Sequence, residues 1–281
     1  MSHISPDKII ILFLVYGNKH VQSGLEKIEE IISRMFPSTN TDYLVIDNNL
    51  PTSFCGKKAN ILTIGGDNTL FEFSGWDHAI SYMHENMNYS NESLVLFVND
   101  TFHRRDYKQG KDYLDFFDLS IINNKDVMNS AIGYLDDFPR DVSLNGIKYN
   151  NWIRSNIFFL PAHIVREIYP LSYSAIFEPQ AIFSNDPNYF WSNTDSISEN
   201  WKAYISSWLF GTINNNYPEY NLNWLKATPA GAENHEYFKK KALCILSEHY
   251  LSARLLNMST PIININIFSK APSRHITPYY N

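Results

Sequence analysis

The sequence predicts an α/β fold built on a mostly parallel sheet, and two observations support this prediction. Apolar runs of strand length alternate with segments of helical period through the first 100 residues, as in successive β-α-β units. The run 8-KIIILFLVY-16 is apolar throughout, as expected of a parallel strand that helices cover on both faces. The chain has 281 residues, 44% of them hydrophobic, and is long enough to bury such a core.

Each predicted element follows from its own pattern. Short apolar runs that stop at polar or glycine residues predict four strands, over 8–16, 43–46, 61–64 and 93–98. Apolar residues at helical spacing predict helices over 21–36 and 74–87. The less regular second half predicts strands over 131–135 and 155–160, helices over 161–169, 197–210 and 233–257, and an irregular tail over 259–281.

The chain shows no repeat and no linker, so we expect a single domain over 1–281. Two halves are expected within it, a ligand-binding half over about 1–130 and a helical, irregular half over about 131–281. The net charge of −6 argues against nucleic-acid binding, which requires a basic surface. No stretch reaches the roughly 20 apolar residues of a membrane-spanning helix, so a cytoplasmic protein is expected.

Polar residues follow the predicted strands at the point where each strand ends. Tyr16, Asp47, Asn68 and Asp100 all occupy such positions. Parallel strands share a carboxyl edge, and open α/β sheets bind ligands in the crevice along it. We therefore expect these residues to converge on a ligand site. Each of them, taken alone, also fits an ordinary turn, and that alternative stays open.

Asp100 is the candidate metal ligand. It lies in 99-NDT-101, immediately after the buried run 93-SLVLFV-98. A carboxylate held rigidly at a strand end suits Mg²⁺ or Mn²⁺, and such a cation would neutralise the phosphates of a diphosphate leaving group. Asn99 or Thr101 would help as further oxygen ligands.

Three segments carry a resemblance to a known family: 99-NDT-101, 68-NTLFEFSGWDHAI-80 and 152-WIRSNIFFLPAHIV-165. Over residues 8–168 the chain resembles bacterial glycosyltransferases of the GT-A fold, family-two-like and related to the rhamnan-synthesis enzymes. The resemblance implies a Rossmann-like sheet and inverting transfer of a hexosyl or deoxyhexosyl group from a nucleotide sugar. It implies a glycan or lipid-linked glycan acceptor in O-antigen or capsule synthesis, with peripheral contact at the inner face of the cell membrane.

The resemblance also implies residue roles. Asp100 would bind the metal and act in catalysis, and the donor-binding residues would be Tyr16, Gly17, Asp47, Asn68, Asp77, Asn99, Asp100 and Arg104. Asn99 stands where the family often has a second aspartate, and Arg104 would pair with the donor phosphates. Asp77 has the alternative of capping its helix or pairing locally.

An inverting transferase needs a general base on the acceptor side. Asp195 and Glu199 are the candidates, because aromatic residues flank them in 190-FWSNTDSISENW-201, as in a sugar-binding wall. The alternative is that Ser196 or Ser198 begins a helix and Glu199 lies in its first turn. Asp136 and Asp137 form a second acidic pair, for which a solvated turn before Pro139 is expected.

Two other functions stay open. A catalytically inactive, GT-A-like sugar- or partner-binding protein would keep the fold and lack a base near the acceptor. A nucleotidyltransferase would need a glycine-rich basic loop after the first strand, and 16-YGNKH-20 matches that poorly.

Overall fold

A mixed sheet of eight strands, flanked by helices, organises the computed structural model, which describes residues 5–103, 117, 126–186, 189–222 and 227–265. The strands are β1 (Lys8–Val15), β2 (Asn40–Asp47), β3 (Cys55–Lys58), β4 (Ile61–Gly65), β5 (Leu94–Asn99), β6 (Ala131–Leu144), β7 (Ile147–Pro161) and β8 (Ile262–Asn264). The α-helices within these ranges are α1 (Val21–Met35), α2 (Glu72–Asn86), α3 (Ala162–Ile168), α4 (Glu199–Phe210) and α5 (His235–Asn257).

The strand order across the sheet is β3-β4-β2-β1-β5-β7-β6-β8. Strands β1, β2, β4 and β5 run parallel, whereas β7 is antiparallel to both β5 and β6. The chain builds outward from β1 through β2 to β4 and then returns to place β5 on the other side of β1. The strand order therefore reverses between β1 and β5, and this reversal defines the crevice where open α/β sheets bind ligands.

Both faces of the sheet are buried, which explains the unbroken apolar run of β1. Every residue from Ile9 to Val15 is 0% exposed. The odd-numbered side chains pack with the apolar face of α1, and the even-numbered ones pack with α2, α3 and α5. A third apolar cluster joins α4, α5 and the far part of the β6–β7 hairpin. None of the described helices has the length and apolar character needed to cross a bilayer.

The predicted α/β class and mostly parallel sheet are confirmed. The predicted strand and helix positions of the first half are also found, with shifts of a few residues at their ends. Two features were not predicted: edge strand β3, and β8, which makes the prediction of an irregular tail wrong at Ile262–Asn264. Both of these strands are short and gain their hydrogen bonds from a neighbouring strand, β4 or β6. A strand that is stabilised mainly by such pairing need not show a regular alternation of apolar and polar residues in its sequence.

Strands β6 and β7 are much longer than predicted. Their polar middle parts gave no continuous apolar run, and a register shift between Asp137 and Val142 interrupts the alternation. A two-residue turn, Asn145-Gly146, connects them, with φ values of 49° and 80°. Asn-Gly with both residues in the left-handed region is the preferred connection of a tight hairpin. That dipeptide was the sequence signal for the longer hairpin.

Replacement of Gly75 by alanine tests how closely α2 approaches the sheet. A Cβ at position 75 would lie 2.4 Å from Leu14 Cδ1 and 2.9 Å from Asn48 Oδ1. Because Leu14 is fully buried in the core, we expect the clash to outweigh the better helix propensity of alanine and to cost about 1–3 kcal/mol of unfolding free energy in urea titrations. Gly231→Ala is the control, since there the added Cβ meets the movable carboxylate of Glu233. Equal stability of both variants would contradict the tight approach.

Candidate functional site

The site is built around the point where the chain leaves β1. Two consecutive backbone amides there donate to carboxylates on the strands at either side. The Tyr16 amide donates to Asp100 Oδ2 at 3.3 Å, and the Gly17 amide donates to Asp47 Oδ1 at 2.9 Å. Asp47 ends β2 and Asp100 follows β5, so the two acids flank the switch point of the sheet. The structure thus brings four of the predicted donor-binding residues together.

Asp47 and Gly17 depend on each other. Asp47 Oδ1 accepts a second hydrogen bond from the Asn49 amide at 2.9 Å, so this one oxygen ties the turns after β1 and β2 together. Gly17 has a φ of 81°, a backbone conformation that side-chain-bearing residues rarely adopt, and a Cβ there would lie 2.9 Å from Asn49 Nδ2. Among the described hydrogen bonds of Asp47, none uses Oδ2, and Asp47 lines the pocket described below.

Asn99 and Asp100 have different tasks. Asn99 Oδ1 accepts hydrogen bonds from the Thr101 amide at 3.1 Å and the Thr101 hydroxyl at 2.8 Å, so it builds the turn after β5. The Asp100 amide donates to the Leu14 carbonyl at 2.9 Å, which extends the ladder to β1 by one residue. Within the part of the chain that the structure describes, the Asp100 carboxylate accepts one hydrogen bond, at Oδ2. Its Oδ1 is the oxygen that a ligand or cation would meet.

A pocket of about 410 Å³ adjoins Asp47. Its size suits a nucleoside, because small-molecule sites commonly measure roughly 300–1,000 Å³. The Phe54 ring is 40% exposed at this pocket, and two lysines stand with it. The lining residues are Val15, Asn18, Val21, Val45, Asp47, Leu50, Phe54, Gly56, Lys57, Lys58 and Thr63.

The Tyr16 hydroxyl lies beside the side-chain amide of Asn48. It is buried there, yet neither the hydroxyl nor Asn48 Oδ1 completes a hydrogen bond of ordinary geometry within the described residues. Asn48 Nδ2 donates to the Phe71 carbonyl at 3.1 Å, which fixes the amide in place. Burial, and next the charge of Glu72, raise the pKa of the Tyr16 hydroxyl far above its ordinary value, so it stays protonated.

Three carboxyl groups from separate elements form what we call the acidic cluster: Glu72 on α2, Asp136 on β6 and Glu248 on α5. Glu72 Oε2 accepts from Cys244 Sγ at 3.3 Å. Glu248 Oε1 accepts from the Ser155 amide at 2.5 Å. Asp136 forms a two-pronged ion pair with Arg154, at 2.5 Å and 2.6 Å.

Within the acidic cluster, Glu72 lies close enough to Tyr16 to affect the pKa of its hydroxyl, and Glu72 and Asp136 both affect the pKa of Glu248. Burial raises the pKa of Glu248, hydrogen bonds from Ser155 oppose that change, and the charges of Glu72 and Asp136 raise it further. Burial also raises the pKa of Tyr204 on α4, and the charges of Asp136 and Glu248 add to this. Sequence analysis missed this cluster as a unit. Its members lie 64 and 112 positions apart (136 − 72 and 248 − 136), and no spacing rule connects them.

The segment 74-SGWD-77 has a structural role at each position. Ser74 Oγ accepts from the Leu70 amide at 2.8 Å and donates to the Asp67 carbonyl at 2.5 Å, which closes the loop before α2. Gly75 allows the close approach to Leu14, and Trp76 is 0% exposed in the core, edge-on to Phe97 and Phe158. Trp76 is therefore a core residue and does not line an open pocket.

Asp77 lies away from the donor residues and holds a turn of the second half. Its carboxylate accepts hydrogen bonds from the Leu171 amide at 2.6 Å, from the Ser172 amide at 3.0 Å and from the Ser172 hydroxyl. Burial raises the pKa of Asp77, against the opposing effect of these hydrogen bonds. The Asp77 side chain is engaged by the 171–172 turn, whose first residue lies 94 positions away along the chain, so neither alternative, helix capping or local pairing, describes its contacts.

Asn68 joins the loop before α2 to α5. Its carbonyl accepts from Lys240 Nζ at 2.5 Å, while its buried side-chain Oδ1 has no hydrogen-bond partner within the described chain. Lys240 and Lys241 also lie over the Phe71 ring, at 4.6 Å and 5.0 Å from its centre. Lys239 pairs with Glu236 at 3.0 Å. All three lysines of this cluster therefore have contacts within the chain.

Asp195 and Glu199 lie at the surface. Asp195 is exposed, and the Glu199 carboxylate pairs with Lys202 Nζ at 2.7 Å in the first turn of α4. The aromatic residues around them pack inward, with Phe190 and Trp201 buried, so this segment presents no open aromatic wall. Trp201 Nε1 donates to His249 Nδ1 at 2.8 Å, and burial lowers the pKa of His249 to about 3. Arg104 lies outside the described residues.

Asp100 fits a cation that arrives with phosphates. Across the described ranges, no group of three or more His, Cys, Asp or Glu side chains is arranged to hold a metal ion. Mg²⁺ commonly binds through one or two carboxylates together with substrate phosphates and water, and Asp100 Oδ1 offers such a contact. Comparison of the chain with protein-family models, curated proteins and solved structures gives no match. The chemistry is therefore argued from the site itself.

The Asp77→Ala variant separates a structural role from a donor-binding role. Removal of the carboxylate leaves the Leu171 and Ser172 amides without their acceptor, and we expect a loss of about 2–4 kcal/mol of unfolding free energy. Urea denaturation measures this loss. The control is Asp42→Ala, which removes a half-exposed ion pair with Lys8 and is expected to cost less than about 1 kcal/mol. Unchanged stability with lost nucleotide binding would instead make Asp77 a donor-binding residue.

Proposed function

We propose that this protein is an inverting glycosyltransferase that moves a sugar from a nucleotide-sugar donor to a carbohydrate acceptor. The observation that carries the proposal is the position of Asp100 at the switch point between β1 and β5, with one carboxylate oxygen anchored by the Tyr16 amide. A rigid carboxylate at this crevice suits the diphosphate of a sugar nucleotide with its cation. The resemblance of 99-NDT-101 and 68-NTLFEFSGWDHAI-80 to the GT-A enzymes supports the same assignment.

The charge of the crevice supports a dependence on Mg²⁺ or Mn²⁺. Asp47 and Asp100 flank the exit of β1, and Glu72 lies close to Tyr16. A diphosphate would meet these carboxylates with charge of the same sign, and such repulsion is strong where water is partly excluded. A bound divalent cation would supply charge neutralisation of the leaving diphosphate. Asp100 would hold that cation, while Asp47, Tyr16 and Gly17 would orient the donor.

The pocket beside Asp47 is the proposed nucleoside site. Its apolar floor, from Val15, Val45 and Val21, would exclude water from one face of a base. The partly exposed Phe54 ring offers a stacking surface, and Asp47 Oδ2 offers an acceptor for base or ribose donors. A nucleoside in this pocket would have its sugar and diphosphate towards Asp100, because consecutive amides join Asp47 to Asp100 through Gly17 and Tyr16.

The second half would bind the acceptor. Within it, Asp136 on β6, Glu248 on α5 and Tyr204 on α4 lie close to one another, and Glu72 of α2 lies near both Glu248 and Tyr16. Carboxylates and tyrosine hydroxyls are suitable partners for sugar hydroxyls. From the resemblance we propose that the acceptor is a glycan or lipid-linked glycan. It would belong to a bacterial surface polysaccharide made at the cytoplasmic face of the membrane.

A thermal-shift panel with UDP, GDP, CMP and dTDP, each with and without Mn²⁺, tests the proposal. One nucleotide is expected to stabilise the wild-type protein, and more strongly with Mn²⁺. Asp100→Asn keeps an acceptor for the Tyr16 amide but loses the charge that holds the cation. We expect it to weaken binding of that nucleotide in Mn²⁺ by about 10- to 100-fold, the equivalent of one contact to a charged group.

Asp42→Ala serves as the matched control, because Asp42 lies at the opposite end of β2 from Asp47 and pairs with Lys8. Its nucleotide affinity should equal that of the wild type. Stabilisation by none of the four nucleotides would contradict the transferase assignment. Stabilisation that Asp100→Asn leaves intact would contradict the proposed role of Asp100.

A further inference from the structure

Strand β7 continues past the end of β5, and this leaves part of its edge without a strand partner. The last pair between the two strands is Val98 with Ile157. Beyond that pair the register is irregular, because β7 bulges between Ile153 and Phe158 where it pairs with β6, and Ser155 lies within this bulge. Backbone amides on an uncovered edge need other acceptors when they are buried.

Helix α5 supplies those acceptors. The Ile153 amide donates to Ser252 Oγ at 2.8 Å, and the Ser155 amide donates to Glu248 Oε1 at 2.5 Å. The two acceptors are one helical turn apart on α5, and the two amides are two residues apart on β7, so the helix lies along the open edge. Glu248 is thereby held on α5 beside this part of β7, within electrostatic range of Glu72, which in turn lies near Tyr16, whose amide holds Asp100.

We propose that Glu248 is the catalytic base that takes the proton from the acceptor hydroxyl, an assignment that rests on the function proposed above. The acceptor oxygen would form a bond to the anomeric carbon while the bond from that carbon to the diphosphate breaks. The nucleoside diphosphate leaves with the electron pair, and the hydroxyl proton passes to Glu248. The step thus forms one glycosidic bond, breaks one bond to the diphosphate and transfers one proton.

Among the three acids of the cluster, Glu248 is the best suited to accept a proton. Asp136 is already bonded twice by the Arg154 guanidinium, which neutralises it and occupies both its oxygens. Glu72 accepts the Cys244 thiol. Glu248 is held by the Ser155 amide at Oε1 and by a second hydrogen bond from the Ser155 side chain, and its burial raises its pKa, which makes its carboxylate a stronger base. A base must be held in position, and the Ser155 amide does this.

Every element packed around Glu248 contributes groups that affect its titration. These groups are Glu72 from α2, Asp136 from β6, Arg154 and Ser155 from β7, Tyr204 from α4, and Cys244 and His249 from α5 itself. His249 is neutral at physiological pH, because burial lowers its pKa to about 3. The neighbours that change the charge of this site are thus mainly carboxyl groups.

Glu248→Gln is the test, because glutamine keeps an acceptor for the Ser155 amide and removes the base. The readouts are affinity for the nucleotide found in the panel above, and release of nucleoside diphosphate from the corresponding nucleotide sugars with water or a simple glycoside as acceptor. We expect unchanged nucleotide affinity and a loss of turnover of about 100-fold or more. The wild-type rate should rise with pH through the raised pKa of Glu248, and the variant should lose this dependence.

Controls separate the possible failures. Glu85→Gln changes a glutamate on the surface of α2, where it accepts from Ser81, and should leave turnover unchanged. Glu248→Asp keeps the charge and should retain the pH profile at a reduced rate, which covers the case in which the glutamine variant folds poorly. Nucleotide binding with undiminished turnover in Glu248→Gln would overturn the assignment of the base alone. The assignment of Glu248 as the base would also be overturned if Asp195→Asn or Glu199→Gln lost turnover and Glu248→Gln did not. A wild-type protein that binds no nucleotide would overturn both proposals.

The pH dependence of protein stability gives an independent test of the protonation of Glu248. Its folded-state pKa is raised above the unfolded value of about 4.5, so the folded state binds the proton more tightly than the unfolded state. The unfolding free energy of the wild type should therefore fall as pH rises from that value through the raised pKa. Glu248→Gln should reduce this fall, and the part that the raised pKa of Asp77 contributes should remain. A pH dependence that is identical in both proteins would contradict the buried, ionisable state that the base requires.

Discussion

The rest of the site depends on the two hydrogen bonds that hold the exit of β1. Tyr16 and Gly17 donate consecutive amides to Asp100 on one side and Asp47 on the other. A buried amide without an acceptor costs about 1–3 kcal/mol, so these carboxylates stabilise the end of the central strand. Each keeps a second oxygen free for a ligand. The contacts that complete the fold are therefore the contacts that fix two acids at the edge of the crevice.

Different physical constraints place the acids on the two sides of Tyr16. On the donor side, strand ends and backbone amides hold Asp47 and Asp100 where a ligand meets them. On the other side, Glu248 lies beside an uncovered strand edge, close to Glu72 and Asp136. The first arrangement suits a cation with phosphates, and the second suits a group that accepts a proton. The proposed transfer would need both arrangements, and the reversal of strand order between β1 and β5 sets the position of the first.

The sequence predicted the part of this structure that depends on local pattern. The buried runs of β1, β2, β4 and β5 identified the parallel strands, and their polar ends led to Asp47 and Asp100. The acidic cluster could not be found in this way. Glu248 reaches the site because β7 outlasts β5 and its Ser155 amide needs an acceptor, and that requirement exists only after the strands have paired. The surface positions of Asp195 and Glu199 likewise follow from the inward packing of Phe190 and Trp201.

The segment 74-SGWD-77 shows that a resemblance in sequence can reflect a shared scaffold. Ser74 closes a loop, Gly75 permits a close approach, Trp76 fills the core and Asp77 holds the 171–172 turn. None of these four tasks is chemical, yet together they fix the start of α2, where Glu72 lies near Tyr16. A motif of this kind can be shared because a scaffold needs it, and two proteins with the same scaffold can differ in reaction. The proposed transfer therefore depends on Asp47, Asp100 and Glu248, each of which the same scaffold holds through a backbone amide.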